Sequence, residues 1–284
     1  MTPTDLDFLS SLIRQRSGIV ITRDKEYLLE NRLAPLVTRH KMAGIPALVT
    51  ALKQASNDPL VREVVEAMTT NETLFFRDTR PFDTLRTQFL PALMAARASQ
   101  RTLRVWSAAC STGQEPYSIA MLLKEEAARM AGWRTSIVAT DIARAVLAKA
   151  RAGIYSQFEV QRGLPIRLLV KYFKQIGTQW ELAEEVRGMV EFREHNITRD
   201  SAPGSGFDIV FCRNLLIYFD QDLKRQVLGQ IADAMAPDGV LFLGGAESVL
   251  GVTDRLEPVP DQRGAYRRTE ATSATARRFV GARA

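Results

Sequence analysis

Apolar side chains recur at helical spacing through the first third of the chain. Leu6, Leu9 and Ile13, joined by Phe8, make one stripe that stops near Gly18. Asp24 is placed to cap a second helix, which turns Tyr27, Leu28, Leu33, Leu36 and Val37 inward and ends before Gly44. A short helix is expected over residues 46–55. Another opens at Asp58-Pro59, a cap followed by proline in the first turn, with Val61, Val64, Val65 and Met68 on one face. Residues 69–76, Thr-Thr-Asn-Glu-Thr-Leu-Phe-Phe, break the periodicity, and a longer helix is predicted from Asp78 to about Ala98.

From residue 102 the pattern changes to short apolar runs alternating with helical stretches. Strands are expected over 103–109, 136–142, 189–197, 207–214 and 240–244, with helices over 115–130, 143–151 and 220–235. This alternation predicts an α/β fold with a doubly wound, mostly parallel sheet. Pro237-Asp238-Gly239 reads as a sharp turn between the last helix and strand. Residues 153–188 depart from the alternation: Tyr172–Ile176 and Gln179–Leu182 suggest a hairpin around Gly177-Thr178, a small insertion at the sheet's edge. The expected organisation is a helical domain (1–76), a linking helix (77–101), an α/β domain (102–268) containing the 153–188 insertion, and a disordered tail (269–284) rich in Ala, Thr, Ser and Arg.

Composition narrows the class. The net charge of +6 is concentrated: Arg77, Arg80, Arg86, Arg97, Arg101 and Arg104 face only Asp78 and Asp83 in the linking segment, and the tail region adds Arg267, Arg268, Arg277, Arg278 and Arg283. Such residues form a solvated helix face or meet an acidic macromolecular surface. No apolar run approaches the ~18–20 residues that span a bilayer. The N-terminus lacks the basic-then-apolar start of a secretory signal. Cys110 and Cys212 are too far apart to suggest a disulfide framework or a zinc spacing. A cytoplasmic protein without membrane insertion is expected. His40 and His195 are the only histidines, so neither a His triad nor a multi-His metal site is expected.

The candidate chemistry lies where strands end, the place at which open α/β sheets bind ligands. Phe207–Cys212 is an apolar run followed by Arg213, Asn214 and Tyr218. The turn after the first strand, Ala109-Cys110-Ser111-Thr112-Gly113-Gln114-Glu115-Pro116, has neither the Gly-Lys-Ser/Thr of a phosphate loop nor Gly-x-Gly-x-x-Gly. Glu115 at the next helix start either attracts a cationic ligand group or only complements the helix dipole. Asp141 ends the second strand, where an acid commonly meets ribose hydroxyls. His195-Asn196-Ile197 ends the third, where the amide either meets an adenine edge or serves the turn. A ligand with a ribose and a cation but no required phosphate fits this set, and S-adenosylmethionine is one.

Together these segments resemble the CheR-type chemoreceptor glutamate O-methyltransferases, from about residue 4 to about 268. The blocks that carry the resemblance are Thr70–Arg77, Arg104–Ser118, Ala139–Ile142 and the 207–219 segment through Tyr218-Phe219. The resemblance implies an N-terminal all-helical domain and a class I, Rossmann-like methyltransferase domain with an inserted β-subdomain. It implies S-adenosyl-L-methionine as cofactor, S-adenosyl-L-homocysteine as product, and no metal. By match to the motifs, Asn71, Thr73, Arg77, Glu115, Asp141, Asn196, Ile197, Asn214 and Leu215 are the cofactor contacts, and Arg77 and Tyr218 stand by the reacting groups. The implied substrate is a chemoreceptor's cytoplasmic helical bundle, met by the Arg-rich N-terminal domain. Some members grip a receptor C-terminal pentapeptide with a glycine-rich loop in the β-subdomain. Here residues 173–189 are short, with Gly177 and Gly188 as the only glycines, so a tether-independent enzyme is expected. Gln114 stands where an acid is common and Ile197 where Leu is common. The competing readings are a nucleic-acid methyltransferase, which lacks its Pro-Pro-Tyr/Phe type motif at 213–216, and a non-catalytic S-adenosylmethionine-binding signalling module. No nucleic-acid partner is expected.

Overall fold

The computed structural model describes residues 1–54 and 58–269. The expected disordered tail, apart from Thr269, and the capping side chain of Asp58 lie outside what is described. Among the described residues, those within 1–70 and 218–223 form one compact unit, and those within 71–217 and 224–269 form another.

The first unit holds helices α1 (Pro3–Ser17), α2 (Glu26–Arg39), α3 (Ile45–Gln54) and α4 (Asp58–Met68). In α1, Thr2 and Asp5 form a reciprocal capping box, and Gly18 ends the helix in the left-handed conformation. Leu6, Leu9, Ile13, Leu29, Leu33, Leu36, Leu48, Val49, Leu52, Leu60, Val61, Val64 and Met68 pack into one aliphatic core. Two details differ from expectation. Asp24 sits inside a 3-10 turn (Arg23–Lys25), so Lys25 holds the capping position and α2 starts one residue later than a cap at Asp24 implies. The inward stripe of α2 runs through Leu29, Leu33 and Leu36, and Tyr27 is 58% exposed. The 218–223 segment carries its own contacts within this unit: the Val20 N–H donates to the Tyr218 carbonyl (3.0 Å), and Arg14 pairs with Asp220 (2.6 Å).

The second unit begins with an irregular segment, 71–74, and a turn over 75–78. A helical stretch follows, made of α5 (Arg80–Thr84), a π-turn (Leu85–Phe89) and α6 (Leu90–Ala96). Pro91 has no N–H to give the preceding turn, which accounts for the widened hydrogen bonding. Next come β1 (Thr102–Ala108), α7 (Gln114–Glu125), β2 (Arg134–Asp141), α8 (Arg144–Ala152), β3 (Ile154–Ser156), α9 (Gln157–Gln161), α10 (Ile166–Tyr172), β4 (Phe173–Ile176), β5 (Gln179–Leu182), α11 (Glu184–Arg187), β6 (Val190–Glu194) and β7 (Phe207–Cys212). A 3-10 turn (Leu216–Tyr218), α12 (Gln221–Ala234), β8 (Met235–Leu243), β9 (Leu256–Pro258) and β10 (Ala265–Arg268) complete the described chain.

Seven strands form one sheet in the order β6-β2-β1-β7-β8-β10-β9. Five are parallel, and β10 and β9 join antiparallel. The chain leaves β1 toward β2 and β6, then returns to β7 on β1's other side. The switch point therefore falls between the carboxyl ends of β1 and β7, where such sheets open a crevice. Residues 153–182 fold into a separate three-stranded antiparallel sheet, β3-β5-β4, with Gly177 in its hairpin turn. Tyr155, Tyr172, Phe173 and Leu182 join the core beneath the large sheet, and Phe75 packs edge-on against Tyr155 (5.0 Å) and Phe173 (5.6 Å).

The predicted turn at Pro237-Asp238-Gly239 lies inside β8, where the pairing slips between Phe207 and Ile209. Asp208, the one acid in the apolar run, is buried and satisfied: Arg97 Nε (2.9 Å) and the Arg104 N–H (2.8 Å) donate to it. Strands β9 and β10 were not expected; three and four residues long, they show too little alternation to read. Among the described residues, no helix is long and apolar enough to cross a membrane.

Candidate functional site

The strand ends around the switch point carry polar groups that hold one another. Beyond β1 the backbone is forced into left-handed conformations at Ala109 (φ 55°), Ser111 (φ 49°) and Gly113 (φ 92°). For a non-glycine residue this costs about 1–3 kcal/mol each. Asp141 helps hold the turn, its Oδ2 accepting from the Ser111 N–H (2.8 Å) and its Oδ1 from the Ala143 N–H (2.9 Å). At Gly113 the positive φ favours glycine, and a Cβ there would also crowd Ala150, Tyr117 and the Tyr155 hydroxyl.

The 71–78 segment is tied to this turn. Ser111 Oγ donates to the Asn71 carbonyl (2.7 Å), and the Phe76 N–H donates to Ser118 Oγ (2.9 Å) on α7. Arg77 is half-buried and donates to the Glu72 carbonyl (3.1 Å), with Thr73 half-buried in the same segment. Phe76 (φ 49°) and Asp78 (φ 55°) are again left-handed.

Arg213, at the end of β7, joins these pieces. Its side chain is 2% exposed; Nη1 donates to Glu115 Oε2 (3.1 Å), while Nη2 donates to Asp78 Oδ2 (2.7 Å) and the Arg77 carbonyl (2.9 Å). Its Nε is buried without a partner. Glu115 also accepts from Ser107 Oγ (2.8 Å). Burial pushes the Glu115 carboxyl above the usual carboxylate range, and Arg213 and Ser107 pull it back. Glu115 is thus more than a dipole complement: it is a buried acid held by Arg213 and Ser107.

Beyond β6, the His195 N–H donates to the Asp141 carbonyl (2.9 Å), which brings 195–197 alongside β2. The side-chain carbonyl of Asn196 accepts from the N–H (3.1 Å) and hydroxyl (2.7 Å) of Thr198. Ile197 is buried, and the His195 Nδ1 is buried without a partner. Asn214 (φ 58°) and Leu215 follow Arg213, half-buried. Cys110 and Cys212 are buried thiols whose burial pushes them further toward the neutral form, which suits packing rather than reactivity.

Asn71, Thr73, Arg77, Glu115, Asp141, Asn196, Ile197, Asn214 and Leu215 thus all lie in one unit, in the strand-end turns and the segment tied to them. Tyr218 belongs to the other unit. Sequence reasoning left Arg213 unassigned and missed Glu247 altogether. Glu247 lies just past β8, and the strand-end criterion applied to Asp141 would have flagged it. The edge offers carboxylates, amides and backbone N–H groups and no phosphate loop, which suits hydroxyl and cationic ligand groups.

Residues 71–265 match the family described as CheR methyltransferase, SAM binding domain, and residues 4–69 match CheR methyltransferase, all-alpha domain. A chemotaxis protein methyltransferase of Vibrio parahaemolyticus is 42% identical over 253 residues, 88% of this chain and 91% of that protein. Chemotaxis protein methyltransferase 1 of Pseudomonas aeruginosa is 40% identical over 259 residues, 90% of this chain and 94% of that protein.

Proposed function

The chain belongs to the CheR methyltransferase family, and from that premise we propose that it transfers a methyl group to glutamate side-chain carboxylates of chemoreceptors, giving methyl esters for sensory adaptation. The observation that carries this is the pair of buried acids beside the switch point, Glu115 and Asp141, with no phosphate loop beside them. The donor set fits S-adenosylmethionine: acids for a ribose and a cationic ligand, an amide near the third strand end, and orphaned buried nitrogens on Arg213 and His195. Asn71, Thr73, Arg77, Glu115, Asp141, Asn196, Ile197, Asn214 and Leu215 are the residues that would hold it. When bound, the cofactor supplies an electrophilic methyl on a sulfonium, leaving as S-adenosylhomocysteine.

The protein's part is positioning. A substrate carboxylate is ionised at neutral pH, so no strong general base is required. Holding the reactants in line and excluding water accounts for much of the barrier lowering. Arg77 grips a carboxylate, the substrate's or the cofactor's, in a bidentate fork. Tyr218 donates a hydrogen bond that aims the nucleophile; a second Arg there would bind it too tightly. The working division is the helical domain (1–76), linking helix (77–101) and catalytic domain (102–268). The Arg-rich helical domain meets the receptor's cytoplasmic helical bundle, the enzyme works in the cytoplasm, and the short 173–189 segment makes it independent of a receptor tether.

The test is transfer of labelled methyl from S-adenosylmethionine to receptor preparations, followed by base treatment. Methyl esters release methanol; methylated amines and amides do not, and base-stable label would defeat the reading. Arg77→Ala and Tyr218→Phe are each expected to cut transfer about tenfold or more. Wild-type rates in either variant would remove that residue's role.

A further inference from the structure

We propose that Glu247 is a positioning residue for the cofactor: its carboxylate holds residues 214–216 in the left-handed turn that presents Asn214 and Leu215. The inference rests on reading those two residues as cofactor contacts. Glu247 is buried, 8% exposed, just past β8. Its Oε2 accepts from the N–H groups of Asn214 (2.7 Å) and Gly244 (2.7 Å). Its Oε1 accepts from those of Leu215 (2.9 Å) and Leu216 (2.7 Å). Among the described residues, every partner of this carboxylate is a backbone N–H group.

This arrangement is a nest turned inside out. Three successive N–H groups after β7 converge on one side-chain carboxylate, and a fourth from the end of β8 closes the set. Convergence of that kind requires the left-handed turn at Asn214, and the four bonds offset the strain. The contrast with the other buried acids is informative. Glu115 faces the buried Arg213 and Asp208 the half-buried Arg97, so each neutralises a cation, while Asp141 accepts from the Ser111 and Ala143 N–H groups as Glu247 does from its own. Glu247 serves only backbone, and that backbone belongs to the proposed cofactor contacts. Replacing it leaves no cation stranded, so the local geometry should suffer more than global stability.

Gly244 gives an independent handle. A Cβ there would come within 2.7 Å of Glu247 Oε2, 2.8 Å of Asn214 Nδ2 and 2.9 Å of the Asn214 nitrogen. Gly244→Ala therefore presses on the same carboxylate and the same turn from the opposite side. Glu247→Gln removes part of the acceptor set instead, because its NH₂ faces backbone donors.

The experiment is calorimetric titration of the full chain with S-adenosylhomocysteine, alongside guanidinium denaturation and separate KM measurements for the cofactor and the receptor. Glu247→Gln and Gly244→Ala are each expected to weaken binding about tenfold or more and to raise the cofactor KM by a like factor, with the receptor KM unchanged. Glu247→Asp, which keeps the carboxylate but falls one methylene short, is expected to recover part of the affinity. Folded Glu247→Gln and Gly244→Ala proteins with wild-type affinity would overturn the proposal. If Glu247→Gln does not fold, wild-type affinity in both Gly244→Ala and Glu247→Asp overturns it equally. Asn214→Ala separates the two levels. Weakened binding in Asn214→Ala with wild-type binding in the Glu247 variants defeats only the positioning role; wild-type binding in Asn214→Ala defeats the site reading and this inference with it.

Discussion

In α1 of the helical unit, local rules and structure agree. Thr2 caps α1 in a capping box, Gly18 closes it, and aliphatic side chains at helical spacing make the core. At the carboxyl ends of β1, β2, β7 and β8 the same rules are broken. Ala109, Ser111 and Asn214 take left-handed backbone, and Glu115, Asp141, Arg213 and Glu247 are charged and buried. The difference separates two kinds of stability. The helices are held by packing that neighbours in sequence already favour, whereas the strand ends keep strained turns only because distant polar partners over-determine them. Departures of this kind concentrate where a protein binds and reacts.

The sharpest way to break the contrast is Arg213→Ala. It strands Glu115 and removes the link to Asp78 and the Arg77 carbonyl, so a loss of about 3–5 kcal/mol is expected by denaturant unfolding, along with weakened S-adenosylhomocysteine binding. If stability falls and affinity does not, the network is structural only. Leu33→Ala in the helical core should cost about 2–5 kcal/mol through its cavity, yet leave the cofactor affinity of the folded protein unchanged. A shift in that affinity would show that packing and site are coupled.

The smallest effect concerns a surface cluster. Glu125 is held down to about 2 by Lys171 and Tyr172, with Arg167 beside them. A carboxyl lowered on folding contributes stability above its unfolded pKa near 4.5 and loses it as pH falls toward 2. Glu125→Gln should therefore cost up to about 1 kcal/mol at pH 7, the cluster being partly solvent-screened, and nothing below about pH 2. A difference that persists in acid would assign the effect to packing.

The helical stripes of α1 and α4, the strand–helix alternation and the Gly177-Thr178 hairpin were legible because each is written within a few residues. So was the clustering of polar residues at strand ends. Legibility failed where one residue's shift changed the outcome. Asp24 falls one residue short of the capping position of α2, and the buried stripe along that helix takes Leu29 rather than Tyr27. The π-turn before Pro91 and the slip inside β8 were hidden for the same reason: each turns on which backbone groups find partners.

The sequence by itself determined the class of the protein: a helical unit, a doubly wound sheet, strand ends rich in acids and amides, and motifs dense enough to name a family. Only the tertiary structure decided how those groups are used. Arg213 finds Asp78 across 135 residues and Glu115 across 98, and Glu247 reaches back 33 to Asn214. Periodicity and propensity act over a turn or two of chain. These pairings depend instead on sheet order and register, which come into being only when β1 and β7 lie side by side.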